Sequence, residues 1–284
     1  MKIRVFQTLA LVIFGVYVAV LPGSTLTVAL DRVPSWGEWM GGALLIAQGA
    51  AVLFWLIGQH GRRGAVAAAL VLLMAWGVEH IGVTTGFPFG RYSYTDTLQP
   101  QFFGVVPLAI ACAWLMVAVG AWQLATLNVQ TFERSNVRTL AATATLVLLL
   151  DLQIETVATK VNPYWIWHDQ GPYYNVPTSN FVAWWLVGLI MATVVRWALP
   201  RPTLARPAGW HAPARRVAAD TLRWLPAALY LLSTAMFVAV NLARGYPLAG
   251  LAGLATLLGL GLLHWLPRLG GLALAPPPDA REAE

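Results

Sequence analysis

Apolar runs long enough to cross a bilayer recur eight times along this chain, and no other feature restricts its fold as strongly. They lie at approximately 5–21, 39–57, 65–83, 105–125, 139–157, 181–199, 224–242 and 248–266. At a rise of 1.5 Å per residue, roughly 17–21 residues cover the ~30 Å hydrocarbon layer. Charged residues are 11% of the 284 and hydrophobic ones 58%, with a mean hydropathy of +0.64. A soluble domain carries about 25% charge, and one soluble core could not bury this much apolar surface. The sequence therefore predicts an all-α, polytopic integral membrane protein of about eight transmembrane helices. One transmembrane domain is expected over 1–270, followed by a short disordered cytoplasmic tail over 271–284 that contains PPPDAREAE.

The first run follows Lys2 and Arg4, as a signal peptide would. It is long for that role, and no small-x-small cleavage site lies near Leu21-Pro22-Gly23, so a retained helix is expected. Lysines and arginines set the orientation. With the N-terminus inside, fourteen of the eighteen fall on the cytoplasmic side, while Arg32, Arg91, Lys160 and Arg244 fall outside, one per loop. Both termini are thus predicted to be cytoplasmic in a multi-pass cell-membrane protein. The net charge of +6 is explained by these loops, so no nucleic-acid partner is expected. Cys112 is the single cysteine, which rules out an intramolecular disulfide.

On this topology two unusual loops share the outer face. One runs from Glu79 and His80 through TTGFPFGRYSY to Tyr94, the other from Asn162 through PYWIWHDQGPYYNVP to Asn180 and Phe181. Their glycine and proline density favours tight turns that would hold aromatic rings in place. An interfacial aromatic belt accounts for scattered residues such as Trp36 and Trp265. It accounts less well for the cluster Tyr92, Tyr94, Trp165, Trp167 and Tyr173, which is expected to contact substrate.

Acids inside spans are rare, since an Asp at mid-helix costs ~2.5–3.5 kcal/mol on insertion scales. This chain has three. Glu79 sits near the outer end of helix 3, while Asp151 and Glu155 are four residues apart on one face of helix 5. Helix–helix hydrogen bonding, or pairing with Arg91 or Lys160, would be their structural use. Their catalytic use would follow from burial, because a desolvated carboxylic acid keeps its proton to higher pH and a neighbouring carboxylate reinforces this. Such an acid beside an apolar cavity could protonate a lipid-soluble substrate. There is no histidine box, HExxH, Walker loop or GxGxxG, and no strong Ser-His-Asp pattern. Acid–base chemistry without a cofactor or metal is what remains.

The string GVEHIGVTTGFPFGRYSYTDTL, followed by FGVVPLAIACAWLM, resembles the CruF-type carotenoid biosynthesis membrane proteins, the carotenoid 1,2-hydratase family. So does DLQIETVATKVNPYWIWHDQGPYYNVPTSNFVAWW. The resemblance covers roughly residues 70–190. It departs at Glu155-Thr156, where the family commonly carries Asp-Pro, although a carboxylate is retained.

The resemblance implies hydration of the terminal C1–C2 double bond of an acyclic (psi) carotenoid end, giving a tertiary alcohol. The partners would be a lycopene-like carotenoid, water and membrane lipid, with other carotenoid enzymes as possible neighbours. Asp151 or Glu155 would donate the proton, and the other acid or Glu79 would orient water. His80, Tyr92, Tyr94, Trp165, Trp167, Tyr173, Asn180 and Trp184 would bind the end group, with ring faces stabilising a tertiary cation. Two alternatives stay open: an end-group cyclase that begins with the same protonation, and a non-enzymatic lipid or carotenoid carrier. A transporter-like carrier would be expected to show repeats or broken helices at the midplane, and the sequence shows neither.

Overall fold

Backbone amides in hydrocarbon have to pair within their own segment, so each apolar run becomes a helix. The computed structural model describes residues 2–128, 136–199 and 213–273. Among them are eight α-helices: α1 (Lys2–Ala29), α2 (Met40–His60), α3 (Arg62–Thr85), α4 (Leu108–Asn128), α5 (Asn136–Thr156), α6 (Thr178–Ala198), α7 (Pro213–Ala243) and α8 (Pro247–Ala273). Seven are long and apolar enough to cross a bilayer, and the stretch Pro247–Leu263 of α8 forms a shorter apolar helix. The all-α polytopic expectation is met. Arg134, Arg201, Arg206 and Arg281, used above for orientation, lie outside the described residues, as does the expected tail beyond Ala273.

The helices reach further than the apolar runs. α1 continues through Pro22 to Ala29, and α5 is prolonged by a π-helical turn over Val157–Val161. α4 is the central element and packs against α2, α3, α5, α6 and α7. Trp114, Leu115 and Met116 on it are fully buried. Small residues let it approach its neighbours, as is common where helices meet in lipid. A Cβ on Gly49 of α2 would fall 2.5 Å from the Cys112 Cβ, and one on Gly120 would fall 2.8 Å from the Pro226 carbonyl oxygen of α7.

The loops after α3 and α5 contain short strands that the turn-rich sequence did not suggest. β1 (Tyr92–Tyr94) and β4 (Trp165–Trp167) pair antiparallel, with Tyr92 opposite Trp167 and Tyr94 opposite Trp165. A second pair, β2 (Gln101–Phe102) and β3 (Val106–Pro107), leads into α4. Alternation along β1 and β4 turns the tyrosines and tryptophans to one face and leaves Ile166 exposed on the other. The Arg91–Asp169 ion pair, 2.7 Å long, closes the ladder at its outer end. Arg244 pairs with Asp31 at 2.6 Å, and the Tyr174 hydroxyl accepts from the Leu248 N–H at 3.1 Å. These contacts gather the loops after α1, α3, α5 and α7 at one end of the bundle.

Candidate functional site

The β1–β4 ladder sits over the two carboxylate-bearing helices and lowers four aromatic side chains onto them. Glu79 is buried six residues before the end of α3. Gly86 ends that helix at φ +78°, a conformation open to glycine, and turns the chain back toward it. Tyr92 and Tyr94 then donate to Glu79 Oε2, both at 2.6 Å. Gly82 leaves the room for this, since a Cβ there would lie 2.7 Å from the Tyr92 hydroxyl. The third donor comes from inside the bundle: Trp114 Nε1 of α4 donates to Glu79 Oε1 at 2.8 Å.

Glu155 has a matching set. Trp167 Nε1 donates to its Oε2 at 2.9 Å and Trp165 Nε1 at 3.3 Å, while Asn180 Nδ2 donates to Oε1 at 2.9 Å. The same Asn180 nitrogen donates to Asp151 Oδ2 at 3.1 Å. An amide nitrogen carries two hydrogens, so it can serve both acids at once. Asp151 Oδ1 is buried and has no hydrogen-bond partner. Among the described residues no cation pairs with these three acids. Arg91 is engaged by Asp169, whose carboxyl it holds below the usual range through its guanidinium and its backbone N–H. Neither Arg91 nor Lys160 therefore neutralises them.

Glu79 and Glu155 face a common cavity of about 860 Å³, together with Tyr92, Tyr94, Trp114, Trp165, Trp167, Asn180 and Trp184. It extends past the C-terminal end of α1 to Asp31 and Arg32. Trp184 stacks on Trp114 with ring centroids 3.8 Å apart, forming a flat aromatic wall beside Glu79. An apolar, aromatic cavity with few convergent polar groups is the ordinary form of a small-molecule site. Among the described residues no group of three or more His, Cys, Asp and Glu side chains is placed to hold a metal ion.

Three of the expected residues stand apart from the cavity lining. Asp151 lies behind Asn180. Tyr173 turns its hydroxyl to the Leu152 carbonyl at 2.7 Å and packs on Phe181. His80, one position past Glu79, stacks on Trp76 at 5.0 Å with its Nδ1 buried and unpaired. Trp114 was missed, being hidden in the apolar run of α4. Its one signal was an indole N–H in a span, which needs an acceptor.

The carotenoid biosynthesis protein family matches residues 40–261 of the chain. Bisanhydrobacterioruberin hydratase of Haloarcula japonica is 28% identical over 145 residues, which are 51% of this chain and 49% of that protein. The chain thus spans about half the length of the curated relative it matches. No solved structure matches it significantly.

Proposed function

This chain belongs to the carotenoid biosynthesis protein family, and on that premise we propose that it is a hydratase adding water to the terminal C1–C2 double bond of an acyclic carotenoid end. The observation that carries the reading is the pairing of Glu79 and Glu155 on one aromatic cavity, each held by three hydrogen bonds. The hydratase relative, identical at 28% over its matched half, supports the same class of reaction.

Protonation of C2 needs a carboxylic acid in its neutral form facing the alkene. Glu155 takes this role because it lines the cavity and Asp151 does not. A C–H bond forms at C2 as the Glu155 O–H breaks, leaving a tertiary cation at C1. The indole and phenol faces of Trp167, Trp165 and Tyr94 stabilise that charge. Water attacks C1, a C–O bond forms, and the released proton passes to the Glu79 carboxylate. Proton exchange between the two acids through solvent restores the starting state, so no external reductant or oxidant is consumed. Asp151 acts through Asn180 and holds that amide against Glu155. Positioning of this kind tolerates substitution better than proton donation does.

Expression in a host that accumulates lycopene, followed by mass analysis of the pigments, tests the proposal. The expected product is heavier than the substrate by one water per reacted end. An isomer of unchanged mass with a ring at its end would mean that an internal double bond captures the cation, and the protein would be a cyclase. Unchanged pigment together with tight binding would mean a carrier. Full turnover in Glu155→Gln would remove the proposed proton donor.

A further inference from the structure

The cavity has a second polar wall, which the acid chemistry does not use. Tyr17 of α1, Gln48 of α2 and Ser233 of α7 all line it. Each is almost wholly buried, at 1%, 3% and 1% exposure. They come from different helices than the acids and Asn180, which belong to α3, α5 and α6. Helix register sets their depth. The Gln7 amide of α1 donates to the Gly58 carbonyl of α2. Because these helices run antiparallel, position 17, ten residues onward, stands level with position 48, ten residues back. Gly49, next to Gln48, touches Cys112 of α4, two residues before the Trp114 that binds Glu79. The two polar walls therefore lie at similar depth.

The donor and acceptor count of this trio is not closed. Tyr17 and Ser233 share one hydrogen bond at 3.4 Å, in which either can donate, and the Gln48 amide also bonds the Tyr17 hydroxyl. Two hydroxyls making one bond leave one O–H hydrogen over. Gln48 Oε1 is buried with no partner. One spare donor and one bare acceptor in the same wall define the guest. It accepts from a hydroxyl and donates to a carbonyl, as an O–H group does. A carbonyl guest would leave Gln48 unmatched, and a hydrocarbon would leave both unmatched, at a cost that buried polar groups rarely bear. A polar recess with two or three such partners is also what a buried water needs.

We infer that Tyr17, Gln48 and Ser233 form a hydroxyl-binding subsite in the wall of the cavity that the two acids share. It takes the oxygen of water awaiting addition or of the tertiary alcohol once formed. The assignment rests on the hydratase reading, yet it is tested separately by binding. Purified full-length protein in detergent is titrated with lycopene and with its terminal tertiary alcohol, read by quenching of tryptophan fluorescence.

If the oxygen is the alcohol's, wild type binds the alcohol more tightly than the hydrocarbon. Gln48→Met and Ser233→Ala then reduce that preference by about fivefold to tenfold, the effect of one lost hydrogen bond in an apolar site. If the oxygen is water's, the preference is the same in all three proteins, and both variants lower kcat with KM unchanged. Unfolding temperatures separate these effects from misfolding, and Ser233→Ala stands in should Gln48→Met fail to fold. A preference and a kcat equal to wild type in the folded variants would overturn the subsite. Wild type that shows no turnover but a preference abolished by the variants would overturn the hydratase reading and leave the subsite standing. No turnover and no preference would overturn both.

Discussion

Glu79 receives three hydrogen bonds from β1 and α4, whereas Asp151 receives one from Asn180 and keeps an oxygen unpaired. Both are buried in apolar spans. The difference lies in what else reaches them. The loop after α3 folds back over Glu79, and its tyrosines approach from the loop end of the helix. Asp151 is a further turn into the bundle than Glu155, beyond the reach of β4. Only the α6 side chain Asn180 arrives there. A carboxyl surrounded by donors and open to a cavity can exchange a proton with a guest. On the proposed mechanism, a carboxyl tied to an amide and shut off from the cavity positions its neighbour. Position along a helix, rather than residue type, separates the two proposed roles.

Substitution at Glu155 gives the sharpest test of that division. Glu155→Gln keeps the shape but removes the transferable proton, and kcat is expected to fall by at least about 100-fold, the usual range for a lost general acid. Asp151→Asn should cost about tenfold, through a misplaced Asn180 amide. The comparison breaks if Asp151→Asn proves the more damaging of the two in turnover assays.

Trp114→Phe tests the other side. It keeps the ring stacked on Trp184 and removes one of Glu79's three donors. A hydrogen bond from an indole to a buried carboxylate contributes about 1.5–3 kcal/mol, so kcat/KM should drop by about tenfold or more. Equal loss from Trp185→Phe, whose indole instead meets Thr145 at 3.3 Å, would make the effect nonspecific. Gly82→Ala should act in the same direction and more weakly. Its new methyl pushes the Tyr92 hydroxyl from Glu79, which Tyr94 still serves.

The smallest effect is expected at the ladder's rim. Arg91 holds the Asp169 carboxyl below its usual range. A depressed folded value stabilises the ladder above the ordinary carboxylate range, near 3.9, and that stabilisation is lost as pH falls through the folded value. The His168 N–H, bonded to the Arg91 carbonyl at 2.8 Å, should keep its exchange protection down to pH 4 and lose it only in stronger acid. Asp169→Asn should lower protection modestly across the whole range, because the pair is exposed. Hydrogen exchange measures both.

Much of this was legible in the chain. Run length against bilayer thickness determined the helices, because every backbone amide in lipid has to pair within its own segment. Four-residue spacing determined that Asp151 and Glu155 share a face. The same local rules placed the aromatic loops at one end. They could not show that Tyr92 pairs with Trp167, that Trp114 serves Glu79, or that Tyr17, Gln48 and Ser233 meet. Each of these joins residues on different segments, and a period of 3.6 or 2 carries no information across such a gap. Which acid faces the cavity was likewise undecided. Asp151 and Glu155 share a helix face, and only the packing of α6, whose Asn180 bonds both, leaves Glu155 on the cavity and Asp151 behind it.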